Sequence, residues 1–279
     1  MDVRTFTLNA LDGFELHATL YDANSDRSLI MAAAMGVKRR YYDAFARHVA
    51  EGGRSVVTFD YRGMGESRPA TLRGFPATME EWGRYDIPAV IDWIGRELRP
   101  RSLAYAGHSA GGQLAGLAPN AGAVDRFLFV CSQSGYWRHW PGIRALGLGT
   151  LWVTMPIVSR IAGFFPSRLF GLGSEDLPRG IASQWARWGR HPEYLFRDVD
   201  SAPYARLTAP ILAYSFRDDH YAPRRAVDAL LAKYSAAPVT HLHIEERGLG
   251  HFDFFRKAKG GALWDDASQW LSGVSLSRA

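Results

Sequence analysis

The chain has 279 residues, a formal net charge of +5 from 33 basic and 28 acidic side chains, one cysteine, and a 47% hydrophobic share that includes 9 Trp, 12 Tyr and 15 Phe. Aromatics in that number exclude a disordered chain, because burying them offsets ordering entropy, and a lone Cys131, set in an apolar run, excludes a disulfide scaffold or a thiolate zinc cluster. The basic excess, almost all arginine, is too small and scattered for a nucleic-acid partner; Lys38-Arg39-Arg40 is the single three-residue basic run, and Arg39 reads as the solvated start of a helix.

Met1-Asp2-Val3-Arg4 runs directly into alternating Phe6 and Leu8, without the apolar core and cleavage site of a signal peptide, so a cytoplasmic location is expected. Val3 to Leu8 and Phe14 to Tyr21 read as strands joined through Asp12-Gly13, a hairpin signal. Leu29 to Ala34 is a small apolar strand, followed by a helical pattern through Tyr42, Phe45, Ala46, Val49 and Ala50 that stops at Gly52-Gly53. Ser55 to Phe59 is again a strand, and this strand, helix, strand order describes a right-handed crossover in a mostly parallel sheet. The rhythm repeats. Trp82, Ile87, Val90, Ile91, Ile94 and Leu98 mark a helix, Leu103 to Ala106 a strand, and another helix opens at Ser109. Phe127 to Cys131, Pro210 to Ser215 and Val239 to Ile244 are later strands, with helices over about 224–234 and 262–271.

Between Ser134 and Ala202 the rhythm is lost, and a helical insertion rich in Trp, Phe and Leu is the better reading than a long structureless loop. The expected division is a core of residues 1–133 and 203–279 with a cap of residues 134–202. Ala145 to Ser159 is uncharged but too short to span a bilayer. Buried packing in the cap accounts for the apolar stretch up to Phe165, so membrane contact is not expected.

The sharpest motif is Gly107-His108-Ser109-Ala110-Gly111-Gly112. A strand that delivers Ser109 at an abrupt turn into a helix exposes its hydroxyl, and Gly107 and Gly111 permit the close backbone approach this needs. A serine attacks poorly without an imidazole to take its proton and a carboxylate to hold the imidazole's tautomer. Gly250-His251 follows the last strand and supplies the imidazole. His241 and His243 lie two apart in a strand and read as packed or surface residues. The acid comes from the loop after the penultimate strand, where both Asp218 and Asp219 could reach; Asp219 is preferred by its spacing to Ala222-Pro223. Acyl transfer also needs oxyanion donors. The Ala110 N–H is one, and the Met35-Gly36-Val37 turn offers the Val37 N–H, with Gly36 supporting the turn. Arg62 and Asp60 are expected to pair within the Asp60-Tyr61-Arg62-Gly63-Met64-Gly65-Glu66-Ser67 loop, which lacks the spacing of a phosphate or dinucleotide loop. Met35, Tyr136, Trp137 and Trp140 are candidate pocket residues. No set of side chains has metal-ligand spacing, and no cofactor or metal is expected.

The ordered trio Ser109, Asp219 and His251, the elbow around Ser109 and the Asp60 to Ser67 loop resemble the alpha/beta-hydrolase superfamily over Val3 to Ser132 and Ala209 to Leu271. More narrowly, Gly107 to Gln113 and Ser132 to Trp137 are similar to a bacterial group of predicted, poorly characterised serine hydrolases with a helical cap. The superfamily resemblance implies an α/β fold with an eight-stranded, mostly parallel sheet whose second strand is antiparallel, helices on both faces and an inserted cap. It implies a serine hydrolase that cleaves carboxylic esters through an acyl-enzyme. The chain departs from the superfamily pattern where His-Gly before the oxyanion turn is Met35-Gly36, and where the glycine opening the acid loop is absent. The expected substrate is a small or medium hydrophobic acyl ester. Acyl transfer, amide hydrolysis and non-catalytic binding of a small ligand are the alternatives, and the chain is expected as a monomer or homodimer.

Overall fold

A computed structural model describes residues 1–274. The first two strands, β1 (Asp2–Asn9) and β2 (Glu15–Asp22), form the expected hairpin with Leu8 opposite Leu16. Gly13 takes φ +87° in its turn, a region that favours glycine. A hairpin alone is marginal in water; here Phe6 stacks on Trp93 with ring centroids 4.0 Å apart, tying the pair to the body of the fold.

The chain continues through β3 (Arg27–Ala32), β4 (Ser55–Phe59), β5 (Ser102–His108) and β6 (Arg126–Val130). A two-stranded ribbon, β7 (Phe164–Phe165) with β8 (Leu177–Pro178), belongs to the insertion, and β9 (Ile211–Phe216) and β10 (Val239–Ile244) return to the core. The eight core strands lie in the order β1-β2-β4-β3-β5-β6-β9-β10. Strand β2 is antiparallel to both its neighbours, and the other pairings from β4 to β10 are parallel, as the resemblance implies.

Strands β4 and β9 are buried at every residue, the pattern of a sheet covered on both faces. The covering helices present apolar stripes inward: Phe45, Ala46, Val49 and Ala50 from Asp43–Glu51, and Ala226, Val227, Leu230 and Leu231 from Arg224–Leu231. Because the strands run parallel, the loops after Ala32, His108, Val130 and Phe216 leave one edge of the sheet. That shared edge is where residues distant in sequence meet.

Four local expectations shift. Strand β3 ends at Ala32 rather than Ala34, because the Ala34 N–H donates to the Tyr42 hydroxyl at 2.8 Å instead of to a neighbouring strand. The helix Ile87–Glu97 is preceded by a π-turn over Trp82–Asp86, which lets Trp82 stack on Tyr61 at 4.4 Å while Asp86 reaches Arg62. Arg39 is buried, not solvated: it forms ion pairs with Asp60 and Glu66, and its Nε donates to Thr19 Oγ1 at 3.1 Å. Asp60 therefore pairs with Arg39, while Arg62 pairs with Asp12 and Asp86, and the expected Arg62 to Asp60 pair does not form.

The insertion is a helical cap. Its long helix, Gly142–Ala162, packs on a second, Arg179–Gly189, through Trp152 and Trp185 with centroids 4.8 Å apart. Glycine permits the approach: a Cβ on Gly189 would sit 2.3 Å from Trp152 Nε1.

Candidate active site

Strand β5 ends at His108, and Ser109 takes φ +50° and ψ −111° before the helix Ala110–Leu114 begins. A non-glycine residue in that region is strained, and such strain persists only where the surroundings impose it. They do so sterically. A Cβ at Gly107 would lie 2.5 Å from Gly112 N, and one at Gly111 would lie 2.2 Å from the Ala32 carbonyl oxygen, so no larger residue fits at either place. Ser109 precedes the helix yet makes no side-chain capping bond. Its hydroxyl is thus left for other partners.

The loops after β9 and β10 bring an acid and an imidazole together. His251 Nδ1 donates to Asp219 Oδ2 at 2.8 Å, and both residues are buried. The other Asp219 oxygen accepts the N–H groups of Tyr221 at 2.7 Å and Ala222 at 2.9 Å. Burial by itself would raise the Asp219 carboxyl. The His251 charge and hydrogen bond, the Cys131 thiol and the Tyr221 amide outweigh it, holding the group below its ordinary 3.8. Asp218 faces elsewhere, with its Oδ2 accepting the Gly248 N–H at 2.8 Å. Cys131 is buried at φ +53° against Asp219, and burial keeps its thiol protonated, well above the usual range.

Ser109 and His251 line one cavity, but the serine hydroxyl does not bond to the imidazole in this structure. Its Oγ lies 3.5 Å from Gln133 Oε1. Catalytic contacts of this kind are often loose without substrate, and rotation about the serine Cα–Cβ bond is the motion that would change the partner.

Of the proposed amide donors, Ala110 sits at the first position of its helix, where an N–H has no intrahelical acceptor. Val37 differs from expectation. Its N–H is engaged with the Ala34 carbonyl at 3.2 Å in the turn stabilised by Gly36 at φ +67°, and Val37 does not line the cavity. Met35, two residues earlier, does line it.

The cavity measures about 370 Å³. Met35 and Trp140 contribute to its wall as expected, and Trp140 is fixed by donation from Nε1 to the His220 carbonyl at 2.8 Å. Tyr136 and Trp137 do not. The short turn Trp137–His139 directs Trp137 to a separate outer groove with Leu146, Val153 and Arg190. Leu148, Leu151, Trp152, Trp185 and the charged Arg144 stand on the cap side of the cavity.

With that geometry in view, comparison with known proteins gives a consistent answer. A family model described as the alpha/beta hydrolase family matches residues 30–259. The chain belongs to the alpha/beta hydrolase family. Among solved structures it is similar to a soluble variant of monoglyceride lipase from Saccharomyces cerevisiae bound to a substrate analogue, with 12% identity, TM-score 0.71, and 98% of this chain and 95% of that one covered. It is similar also to an esterase from Exiguobacterium antarcticum (15% identity, TM-score 0.64, 95% and 98% covered) and to a hydrolase from Pseudomonas aeruginosa (19%, 0.62, 97% and 99%). At these identities the likeness is one of fold. Comparison with curated protein sequences returned no match.

Two supports in this alpha/beta hydrolase escaped the sequence reading, although their residues stand inside its motifs. His108 is fully buried, and burial followed by the nearby His251 charge drives its pKa well below 6.5, so it is neutral. Its Nδ1 meets the Tyr42 hydroxyl at 2.9 Å and its Nε2 meets the His251 carbonyl at 2.8 Å. One tautomer satisfies both contacts: Nε2–H donates to His251 and Nδ1 accepts from Tyr42, whose oxygen accepts from Ala34. The second support is Gln133, which accepts from Gln113 Nε2 at 3.2 Å and donates to the Tyr221 carbonyl at 3.1 Å. A polar residue bordered by small ones, His108 between Gly107 and Ser109 and Gln133 between Ser132 and Ser134, was the available signal for each.

Proposed function

We propose that this alpha/beta hydrolase is a serine esterase acting on small or medium hydrophobic acyl esters. Ser109 is the nucleophile and His251 the general base and later the general acid. Asp219 holds the imidazole with its proton on Nδ1 and its Nε2 free. Attack forms a tetrahedral oxyanion, and the amides best supported as its donors are those of Ala110 and Met35, since the Val37 amide is engaged in a turn. Collapse expels the alcohol with the proton from His251, and water then repeats the sequence to release the acid.

The observation that carries this reading is the strained, uncapped Ser109 sharing a cavity with an imidazole whose other nitrogen is held by a buried carboxylate. A noncatalytic binding module would not need that strain. The cap wall, apolar apart from Arg144, supports a hydrophobic acyl group. Within the family, the Gly107 to Gln113 and Ser132 to Trp137 runs favour the bacterial group of capped serine hydrolases.

Labelling by a fluorophosphonate, followed by peptide mapping, tests the nucleophile directly. The expected adduct is on Ser109 and disappears in Ser109→Ala; an intact wild-type chain that takes no label would sink the acyl-enzyme route. A series of p-nitrophenyl esters then orders the acyl lengths.

A further inference from the structure

The cap helix Gly142–Ala162 carries two apolar faces. One packs inward through Trp152, Met155 and the cavity residues Leu148 and Leu151. The other faces solvent, contrary to the expectation that cap packing would bury this stretch: Ile143 is 81% exposed, Leu146 61%, Val153 52%, Ile157 55% and Ile161 81%. Their spacing of three, seven, four and four repeats the helical turn, so they form one stripe about 27 Å long at 1.5 Å per residue. The stripe is followed by exposed Leu169 and Phe170, in the loop that leads to the cavity residue Leu172. An apolar surface of this extent on a soluble fold marks an interaction site.

Charge identifies the occupant. From Arg126 to Ser174 the chain contains no Asp or Glu, while Arg138 and Arg160 are exposed on the cap; Arg168, also exposed, is paired with Asp176 at 2.8 Å. Arg160 stands beside the stripe, and Arg138 stacks on Trp137 in the outer groove that Leu146 and Val153 share with Arg190, all three without ion-pair partners among the described residues, whereas Arg144 lines the cavity. A second copy applying the same face would set arginines against arginines. An anionic lipid surface would accept both the stripe and the charges, since an interfacial helix buries its apolar face at the headgroup boundary and gains from each nearby cation. The helix is long and apolar enough to span a bilayer, yet Trp152, Met155 and Ser159 are buried against the protein and Trp152 Nε1 donates to the Gly135 carbonyl, so it is held in the cap.

We infer that the outer face of the cap helix docks on an anionic lipid bilayer, placing the cavity beside esters dissolved in or built into that surface. This deepens the esterase reading by naming where its substrate resides, while the docking surface stands on its own observations.

The test is cosedimentation of the full chain with vesicles of phosphatidylcholine and phosphatidylglycerol in equal parts, and with phosphatidylcholine alone. Binding at least roughly ten-fold stronger to the anionic vesicles is expected, and about a hundred-fold loss in the triple variant Ile143→Ser, Ile157→Ser, Ile161→Ser. Arg160→Glu should weaken binding to the anionic vesicles by roughly ten-fold and flatten its dependence on salt. Turnover of a soluble ester by the triple variant should stay within about two-fold of wild type, and Ser109→Ala should bind vesicles normally, which separates docking from catalysis. The proposal is overturned if the wild-type chain stays in the supernatant with anionic vesicles. It is equally overturned if light scattering shows a dimer that the triple variant dissociates, because the stripe then belongs to a second copy.

Discussion

Two regions of the molecule bring a serine, an imidazole and a carboxylate together, and they differ in what surrounds the serine. At the far edge of the sheet, Ser215 Oγ lies 2.7 Å from His241 Nε2, and His241 Nδ1 lies 2.7 Å from Asp228 Oδ1. That line is more tightly bonded than the one at the cavity, where Ser109 rests 3.5 Å from Gln133 and only the His251 to Asp219 link is closed. Yet Ser215 is fully buried within an extended strand, its oxygen is shared with His243 Nδ1 at 2.7 Å, and it borders none of the cavities described here. Its hydroxyl is a linker between two strands. Ser109 sits at a strained turn, faces a cavity and precedes a helix whose first amide is unoccupied. Access to a cavity and a free helix-start amide, rather than the closeness of the hydrogen bonds, separate the two regions.

The largest effect that would break this contrast concerns the serines. Ser109→Ala should lower kcat/KM for a p-nitrophenyl ester by roughly 10³ to 10⁶-fold, whereas Ser215→Ala should leave it within about three-fold. Comparable losses in both would mean that the edge cluster takes part in the chemistry.

The acids follow. Asp219→Asn, which keeps the shape but leaves His251 without its charge partner, should cost roughly 10² to 10⁴-fold in turnover; Asp228→Asn and Asp218→Asn should each cost less than about ten-fold. Steady-state kinetics on the three variants decides between the neighbouring aspartates, since Asp218 holds only the Gly248 amide.

Next is the turn that distinguishes Ser109 from Ser215. Gly111→Ala drives a methyl group into the Ala32 carbonyl. Urea unfolding should show a loss of about 2 to 4 kcal/mol, and fluorophosphonate labelling should fall with it. An unchanged midpoint would show that the elbow relaxes more easily than its contacts imply.

The smallest effect is a pH signature. Asp219 has its pKa lowered in the folded chain, first against burial and then by His251, so its interactions stabilise the fold fully above the ordinary value of 3.8. That stability is lost as pH falls through the lower folded value. Asp219→Asn should thus be destabilised at neutral pH but lose less further stability as the pH falls below the ordinary carboxylate value, as followed by circular dichroism. Parallel acid curves for the variant and wild type would contradict the shift.

Much of this was legible in the residues, for reasons that differ by region. Ser55 to Phe59 and Val239 to Ile244 match their observed bounds because continuous or β-rich runs between turn residues leave little choice of register. Ser109 was legible because glycines at 107 and 111 signal a backbone crossing that only one local geometry allows. Arg39 was misread because a basic triplet says nothing of the Asp60 and Glu66 that fold over it from a later loop. The same holds for Val37, whose amide is taken by the Ala34 carbonyl, and for Trp137, which a short turn carries to the outside of the cap.

The amino-acid sequence by itself determined the alternation of strands and helices, the strained serine turn and the three chemical groups that could form a relay, because each depends on neighbours within a few positions or on the shared edge of a parallel sheet. Only the tertiary structure decided which of two serines opens to a cavity, which aspartate turns toward His251, and that the apolar helix of the cap shows one apolar face to solvent. Those outcomes depend on what packs against each side chain from remote segments, and hydropathy along a chain records how apolar a helix is without recording which of its faces finds a partner.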